Sequence, residues 1–405
     1  MKKYFELFTI GFYILFLSAI LVTMQQIWFP DLLKSEHFLN WDAEHYEFIK
    51  QNGFESYRVA FFPLFPLIWK FLALGTYGAV LLNSIVFLMS FYLIVRKLKI
   101  KNSLEIVLYL TIPSFIFFYL PYSESIFFLC STAILFGIKD KKYYLIYIGL
   151  FFAILARPAF TVFIPALIIT EFFSEFRTKT WLRISIYIGI SLVGVLLVTF
   201  IQFLDTGEWF KFFEAQKHWG NFLQIPSLPL TSWAGGFIVR LDGFAFLIGI
   251  ISGGFLLGLI FKLKQFRNSV IPSEVIFSLA YLGGITLIVL LFRGGSLFSL
   301  NRFIFATPFI IVAFNFWIKS DFCITKKQLF SIFGLIFIFW LLFGSYVHIQ
   351  LMLKYLLVTF YAILIFAMKS EIQFIRKWSL IALIFLGFTF QVVLFIRFLN
   401  GNWVA

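Results

Sequence analysis

The stretch Ile184-Ser-Ile-Tyr-Ile-Gly-Ile-Ser-Leu-Val-Gly-Val-Leu-Leu-Val-Thr-Phe-Ile-Gln-Phe-Leu204 decides the fold class. It carries no charged residue and matches the ~20 apolar residues that a helix needs to cross the hydrocarbon core of a bilayer. Comparable runs fall at roughly 8–27, 76–95, 104–120, 123–138, 143–157, 159–175, 237–261, 273–292, 303–318, 329–348, 352–368 and 378–398. The pattern therefore predicts an all-α polytopic membrane protein of about 13 transmembrane helices, forming one integral membrane domain over 1–405. Composition agrees: 61% of the 405 residues are hydrophobic and only 13% are charged. A soluble domain has about 25% charged residues, so this chain lacks the polar surface it would need in water. The continuous apolar runs also exclude an outer-membrane barrel, whose strands alternate. The run from Phe8 to Ile27 follows Lys2-Lys3, but it is too long for a signal peptide and lacks a small-residue cleavage site, so it reads as an uncleaved first helix.

The formal net charge of +14 has the same explanation. If the N-terminus lies in the cytoplasm and the helices alternate, every inside loop is basic: Lys2 and Lys3; Arg96 to Lys101; Lys139 to Lys142; Arg177 to Arg183; Lys262 to Arg267; Lys319 to Lys327; and Lys369 to Lys377. Cytoplasmic loops of membrane proteins carry this Lys and Arg bias. The basic excess is thus an orientation signal rather than a nucleic-acid footprint. Cys130 and Cys323 both fall in apolar surroundings and read as buried residues rather than a disulfide or metal pair.

The outer side is different in kind. Its longest loops are 30–75 and 205–236, with a short turn at 293–302. The densest chemistry lies in Asn40-Trp41-Asp42-Ala43-Glu44-His45-Tyr46-Glu47-Phe48. As a helix this segment puts Asp42, His45 and Tyr46 on one face. Asn40 is a candidate cap, with acids in the first turn, and the helix is expected to lie at the membrane interface. Downstream, Ala60-Phe61-Phe62-Pro63-Leu64-Phe65-Pro66-Leu67 places two prolines three residues apart. That spacing predicts a kinked or re-entrant segment packed against protein.

Trp41-Asp42-Ala43-Glu44-His45-Tyr46, a short gap to Gly53-Phe54, and then Ala60-Phe-Phe-Pro-Leu-Phe-Pro-Leu67 resemble the PIG-V mannosyltransferase family. Residues 207–220 and the segment Ser299-Leu300-Asn301-Arg302-Phe303 with Pro308 also resemble patterns of this and neighbouring families. The resemblance implies a GT-C glycosyltransferase with an essential acid in the first extracytoplasmic loop and a polyprenyl-phosphate sugar donor. The compact loops fit a bacterial member in the plasma membrane, so the eukaryotic anchor substrate is not carried over. The acceptor expected is a lipid-linked or surface glycan.

An inverting transfer from a lipid phosphate needs a base for the acceptor hydroxyl and cations for the departing phosphate. Asp42 matches the motif acid and is the expected general base, with Glu44 and His45 as candidates to orient it or the acceptor. Arg58, Arg157, Arg293 and Arg302 are the candidate phosphate ligands, because Arg is always charged and bidentate. Trp41, Tyr46, His218 and Trp219 are candidate substrate contacts. No metal ligand set is assigned. GT-C enzymes can carry a divalent cation, and Asp42-Ala43-Glu44 offers two carboxylates to a hard ion. The competing expectation is a flippase or transporter of lipid-linked glycans, which would gather charge at the membrane midplane.

Overall fold

Prolines and polar breaks cut the apolar runs into pieces shorter than hydropathy alone implies. The computed structural model describes residues 5–173, 178–232, 236–261, 271–344 and 349–404. Lys2, Lys3, Arg177, Lys262, Lys264, Arg267 and His348 lie outside the described residues. In chain order the helices are α1 (Phe5–Ile27), α2 (Asp42–Asn52), α3 (Leu64–Phe71), α4 (Thr76–Lys97), α5 (Ser103–Leu110), α6 (Glu124–Asp140), α7 (Tyr143–Ala156), α8 (Phe160–Phe173) and α9 (Thr178–Thr206). They continue with α10 (Lys211–His218), α11 (Gly236–Phe261), α12 (Ser273–Phe292), α13 (Leu300–Phe305), α14 (Pro308–Lys319), α15 (Lys326–Phe339), α16 (Ile349–Ala367) and α17 (Gln373–Leu399). Two isolated bridges, Thr231 with Ser296 and Ile324 with Ser370, are the only β pairing among the described residues.

Among the described residues seven helices are long and apolar enough to cross a membrane. The number is eight if Pro113–Tyr119 and α6, bent by 106° at their junction, form one broken span. The chain is thus an all-helical integral membrane protein, and several of the roughly 13 expected segments are helices too short to cross on length alone, which leaves that count unconfirmed among the described residues. Their shortness has a local cause. Arg157-Pro158 separates α7 from α8, and Thr307-Pro308 separates α13 from α14, because proline lacks an N–H and restricts the residue before it. A 14-residue helix such as α7 rises only about 21 Å.

The elbow before α6 shows how such a break is tolerated. Asn83, fully buried on α4, donates from its side-chain amide to the carbonyls of Leu120 (2.6 Å) and Tyr122 (2.8 Å). Backbone groups freed by a break in an apolar setting must find partners of this kind. A dry aromatic layer of Phe87, Phe115, Phe118 and Phe128 packs beneath it, with Phe87 and Phe118 stacked at 4.0 Å. The elbow therefore carries Ser123 and Glu124 into the interior of the protein.

Polar contacts sort the loops into two groups. Lys97 pairs with Asp140, Lys139 with Glu274 at 2.6 Å, and Lys319 donates to the Leu98 carbonyl at 2.8 Å. Lys369 donates to the Ile318 carbonyl at 2.9 Å. These contacts gather four of the basic loops, 96–101, 139–142, 319–327 and 369–377, at one end. At the other end the last turns of α9 hold the loop 30–75. Gln202 donates to the carbonyls of Val59 (2.8 Å) and Phe61 (3.2 Å), and the Phe54 amide donates to Asp205 (2.8 Å). Gly53 sits at φ +85° with the Asp205 carboxylate 2.7 Å from where a Cβ would stand, so only glycine fits there.

Two local expectations differ from the structure. Asn40 does not cap α2: its amide donates to His37 O and Phe398 O, both at 2.8 Å, and Trp41 takes the cap position. The proline pair starts a helix rather than preventing one. Pro63 precedes α3 and Pro66 lies in its first turn, where the missing N–H has no intrahelical acceptor anyway. Cys130 is buried as expected, whereas Cys323 is exposed in the turn before α15.

Candidate functional site

Asp42 opens α2 on a strained backbone. Trp41 before it has φ 61° and ψ −124°, a conformation that costs a non-glycine residue roughly 1–3 kcal/mol and tends to occur where function fixes the geometry. The Trp41 ring packs edge-on against Trp403 at 5.1 Å. Ala43, Tyr46 and Ile49 bury the inner face of the helix. Asp42 is thereby held at the wall of a cavity of about 640 Å³.

The cavity has a charged end and an apolar body. Asp42, Arg157, Arg293 and Arg302 form the charged end. Phe127, Val162, Tyr281, Ile285, Ile288, Val289 and Phe292 contribute to the body, while Gln216, Lys217 and Asn221 come from α10 and the loop after it. Arg302, on α13, places NH1 2.7 Å from Asp42 Oδ2 and Nε 3.0 Å from Glu124 Oε1. Arg157 NH2 lies 3.0 Å from the same Glu124 oxygen. The chain Asp42–Arg302–Glu124–Arg157 thus alternates in sign. Glu124 is only 1% exposed and lies behind the two arginines. Arg293 donates to Asn221 Oδ1 at 2.8 Å and to the Phe298 carbonyl, both neutral groups.

The three guanidinium groups surround one ring. Their carbons lie 5.1 Å (Arg157), 5.6 Å (Arg293) and 5.5 Å (Arg302) from the centre of Phe303. Burial disfavours the charge on Arg302, but Asp42 and Glu124 more than offset it and hold its pKa above the ordinary value. For Arg293 the support of Asp242 and Asp42 is outweighed. Burial, then the charge of Arg302, push its pKa down. The three cations crowd one ring with only Asp42 and Glu124 in ion-pair contact, and an anion entering the cavity would ease their mutual repulsion.

Arg302 is positioned by a second buried carboxylate. Asp242 accepts from the Asn301 amide (2.9 Å), the Asn301 side chain (2.8 Å) and the Ser232 hydroxyl (2.6 Å). Ser299, at φ +65°, gives α13 no side-chain cap, so Asp242 supplies an acceptor to its first turn from another helix. Ser114 completes the network by donating to Asn301 Oδ1 at 2.9 Å.

The other residues expected at the site are placed differently. Tyr46 lines the cavity and donates to Ser123 Oγ at 3.0 Å. Glu44 is exposed and outside the cavity wall. Asp42 and Glu44, two residues apart on a helix, do not share a face. Asp42 is already paired with Arg302, and no group of three His, Cys, Asp or Glu side chains among the described residues could hold a metal. A divalent cation between these two carboxylates therefore does not fit. Arg58 is also outside the cavity. Its guanidinium lies 3.7 Å over the Phe48 ring and 3.4 Å from Glu55. Trp41 packs on Trp403 and not on the cavity.

His45 and Trp219 belong to an aromatic cluster beside the site, with His218 at its edge. The His45 ring lies 4.8 Å from Phe61, 5.8 Å from Tyr57 and 5.9 Å from Trp219. His218 stacks on Tyr57 at 5.5 Å. Of these rings Phe61 alone lines the cavity. Burial pushes the His45 pKa below 6.5, only partly countered by Asp42, so the folded state favours the neutral ring. A histidine depressed in this way stabilises the fold above about pH 6.5, and that contribution is lost as the pH falls. The thermal midpoint is expected to drop between pH 7 and 5. His45→Gln should flatten that dependence in a melting series, and an unchanged slope would argue against this assignment.

Glu124 and Asp242 were not singled out from the sequence. Their signal is an acid inside an apolar run, which requires a buried partner. No family model matches this chain, and no curated protein or solved structure matches it either.

Proposed function

We propose that this chain is a membrane glycosyltransferase of the GT-C type, similar to the PIG-V mannosyltransferases. It moves a hexose, with mannose as the first candidate, from a polyprenyl-phosphate donor to a hydroxyl of a lipid-linked or surface glycan. The supporting observation is the cavity itself. One carboxylate, Asp42, meets Arg157, Arg293 and Arg302 at the end of a pocket whose remaining wall is largely apolar. Such a shape suits an anionic headgroup joined to a hydrocarbon tail.

In this reading Asp42 takes the proton of the acceptor hydroxyl as its oxygen bonds to the sugar C1. The bond from C1 to the phosphate oxygen breaks, and its electron pair leaves with the lipid phosphate, whose charge the arginines stabilise. Attack opposite the leaving group inverts the anomeric centre. The test is reconstitution of the purified protein with a polyprenyl-phosphate mannose donor and glycolipid acceptors, scored for a new glycosidic bond. Movement of intact donor across the bilayer without bond cleavage would instead favour a transporter.

Counting the shorter apolar helices α7, α8, α14 and Tyr355–Ala367 as further crossings brings the passages towards about 13. We place the cavity on the extracytoplasmic face of a bacterial plasma membrane with the N-terminus in the cytoplasm. The gathering of basic loops at the opposite end supports this orientation. Glu36 is exposed. A cysteine replacing it is expected to react with an impermeant maleimide on intact cells, and labelling only after permeabilisation would reverse the orientation.

A further inference from the structure

The two partners of Arg302 are not equivalent. Glu124 is buried at 1% exposure and lies outside the cavity wall, whereas Asp42 is 15% exposed and lines the cavity together with Arg302. A guanidinium has separate edges, so the two contacts occupy different donors. Nε faces Glu124 and NH1 faces Asp42.

Both contacts balance charge without completing hydrogen bonds. Although Arg302 is 94% buried by its 6% exposure, neither Nε nor NH1 has an aligned acceptor among the described residues. A buried donor left in this state has capacity in reserve. A tetrahedral anion entering from the cavity offers several oxygens to NH1, where the Asp42 carboxylate, fixed at the start of α2, offers one poorly aimed contact.

We propose that Asp42 and an anionic lipid headgroup compete for Arg302. Glu124 keeps the Nε edge anchored, and Asp42 occupies the NH1 edge until a phosphate displaces it. This rests on the reading of the cavity as a lipid-phosphate site, and it adds an order of events. With the cavity empty, Asp42 Oδ2 is covered by a cation and is a poor place to receive a proton. Once the headgroup has taken NH1, that oxygen faces the acceptor. Binding of the donor thereby releases the base, and the resting protein keeps it covered.

The competition makes a prediction opposite to that for a phosphate ligand. Farnesyl phosphate serves as the probe, titrated into the full chain in detergent and followed by calorimetry, with farnesol and inorganic phosphate as parallel arms. Asp42→Asn removes the internal competitor and is expected to tighten farnesyl phosphate binding about tenfold. Arg302→Gln should weaken it by at least as much. Farnesol binding should be equal in wild type and Asp42→Asn, which shows that the variant is folded. Unchanged or weaker farnesyl phosphate binding by a variant that still binds farnesol would overturn the competition. Inorganic phosphate binding as tightly as farnesyl phosphate would overturn the lipid part of the proposal. Tightening in Asp42→Asn with no sugar transfer by the wild-type protein would uphold the competition and count against the transferase. Transfer without tightening would do the reverse.

Discussion

Asp42→Asn is expected to lower the initial rate of sugar transfer by about 10²–10⁴-fold, the usual contribution of a positioned general base. The variant should still fold. Asparagine matches aspartate in size, Ala43, Tyr46 and Ile49 still bury the inner face of α2, and Arg302 keeps Glu124 as a counterion. The measurement is the initial rate of labelled mannose incorporation in proteoliposomes, with the melting midpoint taken on the same preparation. Donor affinity should rise while rate falls, because the same carboxylate that activates the acceptor also competes for Arg302. A general loss of structure cannot produce that pairing. Near wild-type transfer by a folded Asp42→Asn protein would remove Asp42 as the base. Glu44→Gln provides the contrast, since Glu44 is exposed outside the cavity and its loss is expected to leave the rate within about twofold.

The parts of this arrangement that were legible in the sequence share a physical property. Hydropathy reads local solvent preference, and it identifies the apolar stretches of α1, α4, α9, α11, α12 and α17 because each stretch buries its own backbone. Asp42 could be marked by its place in the Trp41–Tyr46 motif, and Arg157, Arg293 and Arg302 because charges at the membrane edge need a reason to be there. What hydropathy cannot read is which charges find each other. Arg58 looks the same as Arg302 in sequence, yet Glu55, three residues before it, and the Phe48 ring engage it locally. Arg302 has no acid within a helical turn and reaches Asp42 and Glu124 through the fold. Glu124 and Asp242 escaped for the same reason, since their partners lie on other helices. The short runs 143–157 and 159–175 were separable at Arg157-Pro158 in the sequence, and the structure keeps that break between α7 and α8.

Glu124→Ala is expected to cost roughly 3–5 kcal/mol of stability, the penalty for removing one member of a buried ion pair and leaving its partner charged. Glu124 balances Arg302 and Arg157 through a single oxygen in a setting from which solvent is almost absent. Without it Arg302 keeps only Asp42, and Arg157 has no carboxylate within ion-pair distance among the described residues. Both guanidinium groups then repel each other and Arg293 around Phe303. The comparison that isolates burial is Glu55→Ala. Glu55 also faces an arginine, but it is 59% exposed, and an exposed pair is worth about 0–1 kcal/mol. Denaturant melts in detergent should therefore separate two variants that each remove one acid beside an arginine. The double variant Glu124→Gln/Arg157→Gln removes a charge of each sign and should recover part of the loss, because replacing both members of a buried pair is far less costly than orphaning one. If Glu124→Ala melts with Glu55→Ala, the cluster is solvated and its arginines are not held by Glu124. Arg302 would then lack its fixed edge, and the exchange between Asp42 and a phosphate would have no pivot.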